Sequence, residues 1–296
     1  MIFLQMPAKE ASVLRSRLEG AKPEAIDAIL KRPGIEVLAD FEEANPWRSE
    51  PVELSESMDA IKFGGEVAMD RGIKVELEGS RGTGGTLARV AAEIVLPVGS
   101  KGYRQFQTPG TVVRIRPDEW RECSSWGDGK ETLMLWRMAT STEPREEKPE
   151  DGSGVMGRVE MMWFKVSAAD RATLGKSTPE TRDKAFTWLT GRGKLWKECV
   201  FGIRNGERAM WMVSEGKLTL ADGDAIADEA RFGLDGEVSA KAGTLEFEWH
   251  VFEKEKGEDD ETELEISATA APGIWEFSEI EGIGHANVVA WRCVPD

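Results

Sequence analysis

The chain has 296 residues, 40% of them hydrophobic with 11 Trp and 11 Phe, which suffices for the cores of two ordinary domains. A formal charge of -16 and a pI near 4.8 exclude the usual nucleic-acid binder, which displaces phosphate counterions with Lys and Arg, and disfavour an anionic membrane surface. No apolar run reaches the roughly 18 residues of a membrane-spanning helix.

Taken in order, the elements repeat at an offset of about 160 residues. Ile2-Phe3-Leu4-Gln5-Met6-Pro7-Ala8-Lys9-Glu10 reads like Met162-Trp163-Phe164-Lys165-Val166-Ser167-Ala168-Ala169-Asp170, an alternating strand opening into a helix. Ile2, Leu4 and Met6 share one face, as do Met162, Phe164 and Val166. Helical signals follow in both copies: Ala8 to Leu18, Lys22-Pro23-Glu24 with Ile26, Ile29 and Leu30, and Ser177-Thr178-Pro179-Glu180 with Ala185, Trp188 and Leu189. Each copy then turns β-rich. Arg204-Asn205-Gly206-Glu207 between two apolar runs predicts a hairpin, because Asn and Gly accept the positive φ of a tight turn; Glu43-Ala44-Asn45-Pro46 stands in its place in the first copy.

Alternation is clean at Ile73, Val75 and Leu77 and at Leu245, Phe247, Trp249 and Val251. Gly85-Thr86-Leu87 matches Gly243-Thr244-Leu245, Pro109-Gly110 matches Pro272-Gly273, and Trp136-Arg137 matches Trp291-Arg292. Ala88, Val90, Ala92, Ile94 and Leu96 fall one residue out of phase with that match, which requires a bulge or a one-residue slip. Residues 141–157, charged and free of periodicity, read as a linker between a first copy at 1–140 and a second at 158–296. The expected fold is α+β: two tandem copies of a helix pair on an antiparallel sheet.

Chemistry-bearing motifs are scarce. Gly79-Ser80-Arg81-Gly82-Thr83-Gly84-Gly85 lacks the Lys-Ser/Thr ending of a phosphate loop and joins two strands. Glu258-Asp259-Asp260-Glu261 lacks calcium-loop spacing, and His250 and His285 belong to no metal-ligand pattern. Cys123, Cys199 and Cys293 read as buried thiols, with a Cys123–Cys293 bridge as the alternative in an oxidising compartment. No catalytic residue, metal ligand or cofactor is expected. Trp163, on the face opposite Met162 and Phe164, and Trp126 are the candidate ligand-binding residues, since exposed indoles stack on sugar rings.

Three segments resemble the β-domain of the bacterial secretin family, which forms outer-membrane rings in type II and III secretion and type IV pilus systems. Asn205-Gly206-Glu207-Arg208-Ala209 is similar to its early hairpin, Gly72-Ile73-Lys74-Val75-Glu76-Leu77 to one of its strands, and Gly127-Asp128-Gly129-Lys130-Glu131-Thr132-Leu133 to its late Asp-Gly-Glu-Thr turn with one Lys inserted. Leu135-Trp136-Arg137-Met138-Ala139 departs from the Gly-Gly step and lip helix that follow in secretins. The resemblance implies a stand-alone secretin-like protein of the cell envelope. Met1 to Met6 runs into Pro7-Ala8-Lys9-Glu10 without a basic leader, which reads as cytoplasmic unless a leader has been removed. The expected function is a non-catalytic structural or protein-interaction role with a protein partner; the alternative is a carbohydrate-binding or hydrolytic protein using exposed Trp and carboxylates.

Overall fold

The computed structural model describes residues 1–18, 21, 22, 24–41, 52–63, 65–82, 85–116, 118–138, 155–172, 182–221, 224–241, 244–258, 260–281 and 285–295. The predicted turn at Glu43–Pro46, the helix start at Ser177–Glu180 and residues 141–154 of the linker lie outside them. Residues 155–157 of that linker belong to a strand.

The first copy runs β1 (Ile2–Pro7), α1 (Ala8–Leu18), α2 (Ala25–Leu30), β2 (Glu36–Asp40), β3 (Val52–Phe63), β4 (Glu66–Gly82), β5 (Gly85–Val98), β6 (Gly102–Ile115), β7 (Trp120–Gly127) and β8 (Glu131–Met138). The second runs β9 (Val155–Val166), α3 (Ala168–Arg171), α4 (Arg182–Thr190), β10 (Gly193–Arg204), β11 (Arg208–Ala221), β12 (Asp224–Lys241), β13 (Thr244–Lys254), β14 (Thr262–Ala270), β15 (Glu276–Glu279) and β16 (Val288–Val294).

These strands form two antiparallel sheets, ordered β15-β16-β9-β10-β7-β8-β1-β2 and β14-β13-β12-β11-β6-β5-β4-β3. The expected α+β class is therefore wrong: 70% of the described residues are strand and 11% helical. The helices are short, and the largest core lies between the sheets. Here Phe3, Leu135, Cys199, Phe201 and Trp163 meet Ile73, Leu77, Val90, Trp211, Leu234 and Trp249. Helix α1 covers only the outer face of the first sheet, where Ala11, Leu14 and Leu18 at one-face spacing pack on Ile2, Leu4, Met6, Met134 and Trp136. Leu189 of α4 does the same over Met162, Phe164 and Trp275.

Each copy supplies four adjacent strands to each sheet, and the order repeats in the same direction. Opposite β1, β2 pairs Phe3 with Ala39 and Leu4 with Val37, leaving Leu38 as an extra residue; opposite β9, β10 pairs Trp163 with Lys197 and Phe164 with Leu195, leaving Trp196. The bulge is thus duplicated, and it fixes the correspondence of β2 with β10. The copies join edge to edge: β10 pairs with β7 from Glu198–Gly127 to Phe201–Ser124, and β11 with β6 from Met212–Gln107 to Lys217–Gly102.

Three sequence matches shift under this registration. Trp136 lies opposite Ile2, whereas Ala290 lies opposite Met162, so Trp136 corresponds to Ala290 and faces the helices while Trp291 faces the inter-sheet core. The hairpin pairs Gly82–Gly85 and Lys241–Thr244 align Gly85 with Thr244, so the phase problem is a one-residue slip; β4 and β5 pair without a bulge. Ile115 and Ala270 pair with the equivalent residues Thr86 and Leu245, which puts Asp118 (φ 57) beside Gly273 (φ 78) as the repeated left-handed turn and Trp120 beside Trp275. Pro109-Gly110 instead lies in a bulge of β6 that has no counterpart in β14.

The Asn205-Gly206 turn is also not a hairpin. Gly206 has the expected positive φ of 70°, but β10 and β11 enter different sheets, so the turn crosses from one layer to the other. Asn205 Oδ1 accepts the Ala240 amide at 2.8 Å and the Gly206 amide donates to the Val238 carbonyl at 3.1 Å, tying the corner to β12.

Candidate functional site

Where the copies join, the two sheets part at one end into a cleft of about 850 Å³. Phe106, Arg104, Trp126, Asp128 and Glu131 come from the first copy; Trp196, Lys197, Val213 and Glu215 come from the second. The bulge at Trp196 builds the second half. An extra residue advances the side-chain alternation by one position, so Leu195 stays under α4 while Trp196 and Lys197 both reach the inter-sheet side. Trp196 packs its ring edgewise on Phe232 at 4.7 Å, and Lys197 Nζ lies 5.5 Å from the Trp196 ring centroid. The same bulge in the first copy carries Leu38 and Ala39. The indole and the amine thus occur where the copies diverge.

Arg104 organises the opposite wall. Its guanidinium lies 2.9 Å from Glu215, 3.3 Å from Glu131 and 3.9 Å from Asp128. Burial disfavours its charge, but Glu215 and the other two carboxylates outweigh burial and hold its pKa above the ordinary value. Asp128 sits in the β7–β8 turn, where its side chain accepts the Lys130 and Glu131 amides, both at 2.9 Å. Burial raises its pKa, yet those two amides, Arg104 and Lys197 together leave it below the usual carboxylate value.

Lys197 stands apart from that network. It is half-buried and makes no ion pair among the described residues. Burial pushes its amine below the ordinary lysine value; Asp128 counteracts this, Arg104 reinforces it, and Glu215 and Glu253 counteract it further. The unfolded chain therefore binds more protons between the folded pKa and 10.5, so Lys197's contribution to stability rises as the pH rises through that window. After reductive dimethylation with a carbon-13 label, its resonance is expected to titrate at the lowest pH among the lysines. A shift coincident with the exposed lysines defeats that assignment.

On the far side of β10, the adjacent Glu198 enters a second cluster. Arg15 Nε donates to both carboxylate oxygens of Glu122 at 3.0 and 3.1 Å, its Nη2 donates to Ser125 Oγ at 2.8 Å, and its Nη1 lies 3.6 Å from Glu198. Thr132 Oγ1 donates to Glu198 at 2.7 Å. Arg15, Glu122 and Glu198 are 8%, 1% and 1% exposed. The cluster fastens α1 to the junction between β7 and β10, directly behind the cleft.

The sequence-predicted residues fare unequally. Trp163 is not a surface platform: it is fully buried, stacked on Trp211 at 6.4 Å and 16° and met edgewise by Phe232 at 5.2 Å. The face opposite Met162 points at the second sheet, which the sequence pattern of β9 alone does not reveal. Trp126 is as fully buried as Trp163 and so is not an exposed indole either; it lies beneath the cleft, with its ring 5.9 Å from Phe106. No sequence motif points to Arg104, and the break in alternation at Leu195-Trp196 is the one local sign of Trp196 and Lys197. His250 and His285 are exposed, and Cys123, Cys199 and Cys293 are buried thiols. Among the described residues no group of three or more His, Cys, Asp or Glu could hold a metal ion, and no helix is long and apolar enough to cross a membrane.

Fold and site together define a two-repeat antiparallel β-sandwich with an aromatic, ampholytic cleft at the joint between repeats. No family model, no curated protein and no solved structure matches the chain.

Proposed function

We propose that the protein is a non-catalytic interaction protein that holds a segment of a protein partner in the junction cleft. The observation that supports this reading is the half-buried Lys197 amine beside Trp196, placed in the cleft by a bulge whose first-copy equivalent carries Leu38 and Ala39. Seven Lys and Arg against five Asp and Glu line the cleft of a chain whose net charge is -16, so an acidic or C-terminal peptide meets less repulsion there than on the rest of the surface. The likeness of its turns to secretin β-domains makes a cell-envelope secretion component the first partner class to try.

The test compares the wild-type chain with Lys197→Glu and Trp196→Ala as baits in native extract and by titration with the recovered partner. Both substitutions are expected to weaken binding roughly 5- to 150-fold, because a charge-assisted bond and an aromatic contact are each worth on the order of 1–3 kcal/mol. Undiminished binding by both variants, with unchanged melting, rules out the cleft as the site.

A further inference from the structure

The two copies are joined by a heterologous contact. The edge formed by β10 and β11 meets the edge formed by β7 and β6, and the strand order continues in the same direction on both sides. Because β2 corresponds to β10, β3 to β11, β15 to β7 and β14 to β6, the two ends present that same pair of edges, to which no strand among the described residues is paired. A contact of this kind does not close on itself by a two-fold axis; repeated, it builds a ring or an open filament.

The free edges retain the apolar half of the joint. Val52, Leu54 and Met58 on β3 and Leu264, Ile266 and Ala268 on β14 are only partly buried, although they pack against the inter-sheet core. Trp211, the counterpart of Leu54 through their partners Leu234 and Val75, is fully buried within the joint.

What differs is charge. Carrying the β11–β6 register onto the ends places Ser55 opposite Glu263 and Glu56 opposite Thr262, where the joint has Met212 opposite Gln107 and Val213 opposite Phe106. Glu56 has the parity of a core-facing residue, opposite Ile73. Counting back two residues from the equivalent pair Phe106 and Thr262, Asp260 stands where Arg104 binds Glu215. In the first sheet Asp40 takes the place of Glu198, and Glu279 that of Ser125. Inward charges and like charges on edge strands are a recognised device against edge-to-edge pairing.

We propose that the two ends fit one another as the two copies do, and that a second copy of this chain docks head to tail once the carboxylates at the ends are neutralised. The probe is the full chain carrying Asp40→Asn, Glu56→Gln, Glu263→Gln and Glu279→Gln, followed by light scattering after size exclusion at neutral pH and low salt. The wild-type chain is expected at the 32.7 kDa of one copy, and the variant at a mass that climbs with concentration past two copies. Adding Ile266→Lys, which puts a charge into the β14 side of every joint, returns the variant to a single copy. A neutralised variant that stays at one copy with wild-type circular dichroism overturns the proposal. So does assembly that stops at a closed dimer or that ignores Ile266→Lys.

Discussion

Arg15→Ala should destabilise the folded chain by about 3–5 kcal/mol, the usual loss when one partner of a buried charge cluster is removed and the rest stay buried. The substitution leaves Glu122 and Glu198, each 1% exposed, facing the space the guanidinium filled, and deprives Ser125 Oγ of a donor at 2.8 Å. At roughly 2–4 °C per kcal/mol for a chain of this size, the melting midpoint should fall by on the order of 10 °C. Arg15→Lys keeps the charge but not the three nitrogens that reach Glu122, Ser125 and Glu198 at once, so its loss should be smaller. A triple variant, Arg15→Met with Glu122→Gln and Glu198→Gln, should recover much of the difference, because it removes the charges together. Urea unfolding of the three variants decides the matter. An Arg15→Ala midpoint within error of wild type would show that the cluster carries no net stability.

Legibility followed burial. Strand β13 could be read because Leu245, Phe247, Trp249 and Val251 face the core while Glu248 and His250 face solvent. The first five residues of β12, Asp224 to Asp228, could not: they are exposed on both faces, so no alternation marks them. Strand β7 hid for the opposite reason. Covered by the core on one face and by α1 on the other, it buries Glu122, Ser124 and Ser125 among apolar residues, and polar side chains satisfied by distant partners carry no periodic signal. The duplication was visible in sequence, but not its register. One residue separates the Trp136–Trp291 match from the true equivalence, and in a strand one residue exchanges the two faces. The cleft depended on the same parity, since a single extra residue at Trp196 decides which way Lys197 points.

Residues 1–140 and 155–296, expressed separately, should each fail to give a soluble folded unit, and should recover the native sandwich when expressed together. The joint is not a surface contact between finished cores. The Trp211 indole of the second copy donates to the Ser125 carbonyl of the first at 3.0 Å, and both residues are buried. Thr111 Oγ1 accepts the Gly202 amide and donates to the Gly202 carbonyl at 3.1 Å, an approach so close that a Cβ at Gly202 would overlap the Val112 carbonyl. Separation strips β10 of β7 and β11 of β6 and leaves two apolar edges at the former joint in each half, which favours aggregation over a stable half-sandwich. Glu198 would in addition lose Thr132 and Arg15, both supplied by the other half. Proton–nitrogen spectra of each half and of the mixture test this directly: collapsed spectra alone and dispersed wild-type peaks together are expected. A half that shows dispersed peaks and melts cooperatively by itself would mean that the repeats fold first and the joint forms afterwards.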